Sequence, residues 1–147
     1  ALRVIRRHRL IELFLVKTLD LTWDEVHEEA ENMEHAVSDM LVDRMDEFLG
    51  RPDHDPHGDP IPKADGTVST NNGELLASIK QGTTVRLIRV LDQHTDFLRF
   101  LSENGFGIGA EAVVAEDQQM DSLRLKLNDN LVTISLAEAE RLVVEEV

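Results

Sequence analysis

The chain has 147 residues, 41% of them hydrophobic and 30% charged, and a formal charge of −14, the balance of a soluble globular protein with room for one medium domain or two small ones. That charge excludes a nucleic-acid backbone or an anionic membrane as a direct partner of this chain, no apolar run is long enough to span a bilayer, and the absence of cysteine excludes disulfides, thiolate catalysis and Cys-ligated metal. A cysteine-free chain fits a reducing, cytoplasmic setting, and an acidic excess with six histidines suits divalent cations.

Residues 2–19 are predicted as a helix, because Leu10, Leu13, Phe14 and Val16 recur at near-helical spacing with no Gly or Pro between them. Thr22-Trp23-Asp24-Glu25 reads as a capping box with Thr22 as N-cap, opening a helix that runs to about Val37. Trp23, Val26, Ala30, Met33 and Val37 make its apolar stripe. Ser38 reads as the N-cap of a third helix with Met40, Leu41, Met45, Phe48 and Leu49 as apolar positions and Gly50 as its stop. Pro52, Pro56, Pro60 and Pro62, followed by Gly66, Asn71, Asn72 and Gly73, exclude a helix or central strand over 51–73. The part from 63 to 73 reads as a mobile linker. Beyond it the pattern turns to period two. Strands are predicted at 83–90, 112–114, 122–127, 131–134 and 142–144, with a hairpin turn at Asn128-Asp129-Asn130. A short amphipathic helix is predicted at 95–104 and a helical turn at 137–141. The expected fold class is α+β, with an all-α domain over 1–62, a linker over 63–73 and a small antiparallel barrel over 74–147.

Five of the six histidines fall in the first 66 residues, so the chemistry is sought there. His27, Glu31, Glu34 and His35 have offsets of 0, +4, +7 and +8, which place them on one helical face beside the apolar stripe. A metal needs several donors converging on one point, and two carboxylates beside an apolar stripe repel unless a cation lies between them. His8 and Glu12 form a second pair at i and i+4, able to face the same cavity if the first two helices pack antiparallel. Asp53-His54-Asp55-Pro56-His57 offers Asp55 and His57 from a proline-stiffened loop, and His94 and Asp96 stand at the entry to the 95–104 helix. Each group has a plainer reading. A His/Glu pair at i and i+4 also makes a surface salt bridge, Asp55-Pro56 also makes a turn, and Asp96 is favoured in a first helical turn by the dipole alone.

His8-Arg9-Leu10…Glu12, then Val26-His27-Glu28-Glu29-Ala30-Glu31-Asn32-Met33-Glu34-His35…Ser38-Asp39, then Pro56-His57-Gly58-Asp59-Pro60-Ile61-Pro62 resemble, in order and spacing, the DtxR/MntR family of metal-dependent transcriptional repressors. The C-terminal half resembles that family's SH3-like, FeoA-type domain. The resemblance implies a helical metal-binding and dimerisation domain followed by an SH3-like barrel. Family members begin with a winged helix-turn-helix that reads DNA; this chain starts within the helix that follows it, so the DNA-reading part is expected to lie outside the chain. His8, Glu12 and His27 correspond to family metal ligands, as do Glu31, Glu34 and His35. Glu31 stands where the iron-sensing branch has Cys and the manganese-sensing branch Glu, which leans toward Mn(II). His27 and the SH3-like half resemble the iron branch. Asp55 and His57 match a Cys-Pro-His-Gly loop of manganese-responsive members, with Asp for Cys, and Asp96 would complete a site with them and Glu12. His94 falls where the iron branch places a Glu from its SH3-like domain.

The expected function is the metal-sensing core of a repressor. Mn(II) or Fe(II) is its effector, with Zn(II), Co(II) or Ni(II) able to bind in vitro. It is expected to work as a homodimer, to reach an operator only through the absent domain, and to have no membrane partner and no catalytic activity. The alternative is a metal-independent dimerisation or adaptor module.

Overall fold

A computed structural model describes residues 2–70, 72–116 and 120–147; Asn71, part of the predicted linker, lies outside them. The chain divides into two units, 1–71 and 72–147. In the first, helix α1 (Leu2–Leu19) buries Leu10, Ile11, Leu13 and Leu15, and with them Glu12. Helix α2 (Val26–Glu34) lays Val26 and Ala30 against α1, and helix α3 (Asp39–Phe48) lays Val42 and Met45. Ile11, Leu15, Val26, Ala30 and Met45 form one apolar cluster, and Leu10, Leu13, Val42 and the loop residue Ile61 form another. Ser38 caps α3 as predicted, its hydroxyl accepting from the Leu41 amide at 3.2 Å, and Gly50 follows the helix with φ of +78°.

The second helix is shorter at both ends than the pattern predicts. Glu25 reaches back to the Thr22 amide at 2.9 Å, the half of the capping box that its carboxylate supplies, and also accepts from the Thr22 hydroxyl at 2.8 Å. The helix starts at Val26 and stops at Glu34, leaving 35–37 as a turn closed on the Met33 carbonyl. Residues 63–69, read from the sequence as linker, fold back on the helical unit. The Lys63 ammonium bonds the Arg51 and Pro52 carbonyls and lies 2.9 Å from the Asp53 carboxylate, and Ser69 reaches the same carboxylate.

The second unit is a six-stranded antiparallel sheet. Its strands are β1 (Glu74–Leu75), β2 (Thr84–Val90), β3 (Glu111–Val114), β4 (Ser122–Leu127), β5 (Asn130–Ser135) and β6 (Leu142–Glu146), in the order β1-β6-β2-β3-β4-β5. Helix α4 (Thr95–Glu103) connects β2 to β3, and helix α5 (Leu136–Ala139) connects β5 to β6. Helix α5 packs against β4, β5 and the 3-10 turn Leu76–Ser78 that follows β1, so the two ends of the strand order curl toward each other. Alternation in β4 buries Leu123, Leu125 and Leu127. Asn128, at φ of +55°, supplies the left-handed turn into β5. Ser135 and Glu138 form a complete capping box on α5, a signal the sequence carries in its Ser-x-x-Glu spacing. Among the described residues no helix is long and apolar enough to cross a membrane.

Candidate metal centre

Glu12 is the organising residue. It sits mid-helix on the buried face of α1, 1% exposed, where an isolated carboxylate would carry a heavy desolvation cost. Its Oε2 lies 3.4 Å from His8 Nε2, 3.6 Å from His27 Nδ1 and 4.0 Å from His57 Nδ1. Two donor groups therefore share one oxygen: His8, Glu12 and His27, and Glu12, Asp55 and His57, each with ligand atoms within 4.8 Å of one another.

The first group is built by α1 and α2. The one-turn offset puts His8 over Glu12, and α2 brings His27 to 3.2 Å from His8. Glu34 Oε2 accepts from His8 Nδ1 at 3.0 Å, and Glu31 Oε1 lies 3.1 Å from His27 Nε2. The Glu12 carboxylate beside it raises the His8 pKa to about 9 against the opposing effect of burial, with Glu34 adding to it. His8 is therefore a cation at neutral pH. It donates on one side to Glu34 and on the other toward Glu12 and His27, a positive charge at the centre of a ring of donors.

The second group is buried throughout. It depends on the loop 53–61, whose ends are closed by the Ile61 amide on the Asp53 carbonyl and the Asp55 amide on the Asp59 carbonyl. Asp55 Oδ1 accepts the amides of His57 and Asp59, at 2.8 and 2.9 Å, which commits one carboxylate oxygen and leaves Oδ2 free. His57 Nε2 donates to the Trp23 carbonyl at 2.6 Å, and the Trp23 indole stacks parallel to the imidazole. That bond fixes the ring, so Nδ1 faces the two carboxylates. Glu12 Oε2, Asp55 Oδ2 and His57 Nδ1 are all buried without a hydrogen-bond partner. Burial lowers the His57 pKa, but the Asp55 and Glu12 carboxylates outweigh it and the net shift is upward. Burial likewise raises Asp55, but His57 and the two backbone amides carry it below the usual carboxylate range. Three orphaned atoms of two carboxylates and an imidazole fit a divalent cation, and the oxygen-rich set suits a hard or borderline one.

The other candidates join neither group. His35 stands past the end of α2 with its side chain 87% exposed, 3.9 Å from Glu34 Oε1. His94 and Asp96 belong to the sheet unit and to neither group. His94 is the N-cap residue of α4, and its ring and amide both donate to Asp92. Asp92 also takes the Arg141 guanidinium, and burial, which opposes ionisation, is outweighed by these bonds, holding its pKa down at about 2. Sequence reading passed over Asp92, although its placement two residues before His94 is a common local turn. It also passed over the Trp23 carbonyl, which has no side-chain signature.

Residues 1–63 match the family model described as iron dependent repressor, metal binding and dimerisation domain, and residues 75–146 match the FeoA domain. The iron-dependent repressor IdeR of Mycobacterium leprae is 33% identical over 126 residues, covering 78% of this chain and 55% of that protein. A probable metal transport system membrane protein of Chlamydia trachomatis is 46% identical over 63 residues, 43% of this chain and 14% of its own length. A solved structure titled as a manganese-dependent transcriptional repressor complex with manganese is 38% identical, covers all of this chain and 71% of that one, and superposes with a TM-score of 0.91. The chain thus spans about half the length of the mycobacterial relative. With both family models matched in order and a solved repressor similar over the whole chain, the protein belongs to the DtxR/MntR family of metal-dependent transcriptional repressors.

Proposed function

We propose that this chain is the metal-sensing and dimerising core of a cytoplasmic transcriptional repressor, with Mn(II) or Fe(II) as effector. The observation that carries the reading is the convergence of three buried, unpartnered ligand atoms, Glu12 Oε2, Asp55 Oδ2 and His57 Nδ1, beside the His8 and His27 rings. Glu12, Asp55 and His57 would hold one ion, and His8, Glu12 and His27 a second, with Glu31 and Glu34 beside them. A bound divalent ion supplies positive charge where the protonated His8 imidazole supplies it otherwise. The residues do the rest. Glu12 ties α1 to both other ligand-bearing segments, His27, Glu31 and Glu34 tie in α2, and Asp55 and His57 tie in the 53–61 loop. Binding would hold α1, α2 and the loop in one arrangement. In a longer protein carrying a DNA-reading domain, this arrangement would set the spacing of two such domains across a dimer, with metal and operator each tightening the other. Relatives of this chain are repressors by name, and no catalytic role is proposed. A metal-independent adaptor would leave the buried Glu12–Asp55–His57 atoms unexplained.

The test is thermal unfolding of chelator-stripped protein with and without Mn(II). At free metal about 100 times Kd, linkage gives about 2.7 kcal/mol, a midpoint rise of roughly 5–10 °C for a chain of this size. Glu12→Gln should abolish the rise, since both groups lose the anionic carboxylate they share. A midpoint unmoved by millimolar Mn(II) or Fe(II) would sink the proposal.

A further inference from the structure

We propose that Arg7 is a positioning residue of the metal centre, acting through Glu34; the inference rests on the metal-sensing reading above. Helix α2 ends at Glu34 and has no basic residue in its last turn, so its terminal carbonyls lack a cation of their own. Arg7 supplies one from the neighbouring helix. Its Nη1 donates to the Glu34 carbonyl at 3.3 Å and to the Val37 carbonyl, and its Nη2 pairs with Asp39 in the first turn of α3. The planar guanidinium thereby spans the end of α2, the 35–37 turn and the start of α3, three points a lysine ammonium on a flexible stem cannot reach in a fixed geometry.

One of those points is the backbone of Glu34 itself. The carboxylate of the same residue lies 3.0 Å from His8 Nδ1, and His8 is the residue next to Arg7. Adjacent residues of α1 therefore grip Glu34 at both ends, Arg7 by its carbonyl and His8 by its carboxylate. With the carbonyl released, the last turn of α2 is free to unwind, and the carboxylate loses its fixed distance to His8. Arg7 is mostly buried, with a side-chain exposure of 17%. Arg3 pairs with the same Asp39 but is 74% exposed and makes no bond to α2, which makes it the internal control.

The experiment is calorimetric Mn(II) titration of the stripped chain and of Arg7→Gln, Arg7→Lys and Arg3→Gln, with the visible absorption spectrum of the Co(II)-loaded forms recorded alongside. Loss of a second-layer partner weakens metal binding about 10–100-fold. Arg7→Gln should fall in that range and alter the Co(II) spectrum, Arg7→Lys should lie between it and the wild type, and Arg3→Gln should match the wild type. A purely structural tether is distinguished by the double variant: with Glu34→Gln already present, adding Arg7→Gln should cost little further affinity. Binding by Arg7→Gln within twofold of wild type, with an unchanged spectrum, would overturn the inference, as would a full additional loss in the Glu34→Gln background. Circular dichroism of the metal-free variants separates loss of the site from loss of the fold; if Arg7→Gln is unfolded, Arg7→Lys carries the same comparison. Failure of the wild-type chain to bind Mn(II) would instead overturn the metal-sensing reading itself.

Discussion

At the scale of single residues, the proposed metal centre holds a proton on the His8 imidazole. His8, with its pKa raised to about 9 by Glu12 and Glu34, keeps its proton across the neutral range. A ligand histidine must give that proton up, so metal and proton compete. Apparent Mn(II) affinity should rise from pH 6.5 toward 9, by up to about tenfold per pH unit for one displaced proton, and flatten near 9; calorimetry in buffers of different ionisation enthalpy would count the protons released. The stability sign is opposite. A raised histidine pKa stabilises the fold fully below about 6.5, its ordinary value, and the gain is lost as pH climbs through about 9. The stripped protein should therefore lose midpoint temperature over that window while the Mn(II)-loaded protein does not. The donors themselves were legible in the sequence from residue type and spacing. The family resemblance groups Asp55 and His57 with Glu12; that one Glu12 oxygen faces both groups was not legible, because the 53–61 loop reaches Glu12 through long-range folding around Ile61 and the Trp23 carbonyl.

Among the elements, those with a local signature were legible. Ser38 and Gly50 bracket α3 where the pattern places them, and the alternation of β4 and β5 gives their hairpin. The ends of α2 were less so: Glu25 reaches back to the Thr22 amide as the capping-box spacing predicts, yet the helix starts only at Val26 and stops at Glu34. Gly73 shows another hidden constraint. A Cβ there would stand 2.5 Å from Val143 Cγ1, 2.6 Å from Ile88 Cδ1 and 2.9 Å from the Val144 carbonyl oxygen. The two side chains can give way, but the carbonyl belongs to the ladder that pairs β6 with β1 and β2. Overpacking of this kind costs about 1–3 kcal/mol. Gly73→Ala should lower the unfolding midpoint of the sheet unit and leave the Mn(II) affinity of the helical unit unchanged. An unaltered midpoint would show that β1 can shift away.

For the molecule as a whole, the helical unit carries an apolar face that its own core does not use. Phe48 is 69% exposed and Leu41 45%, both line one shallow groove with Phe14, and Phe48 meets Phe14 edge-on at 6.0 Å. Solvent-facing apolar residues grouped in this way mark an interaction surface, and the family model matched over 1–63 is that of a dimerisation domain. Phe48→Asp should convert a dimer to a monomer in sedimentation equilibrium while preserving helical content, since the residue lies outside the core; a persistent dimer would place the interface elsewhere. The sequence predicted these positions as an apolar stripe without separating core from surface, because periodicity records which side of a helix is apolar and not what covers it.

The stacking of Trp23 on His57 has a practical consequence. The chain contains one tryptophan and no tyrosine, so its near-ultraviolet emission comes from a single indole, and that indole lies parallel to an imidazole of the buried donor group. The chain thus carries its own optical reporter: an ion taken up beside His57 should change the light that this indole emits.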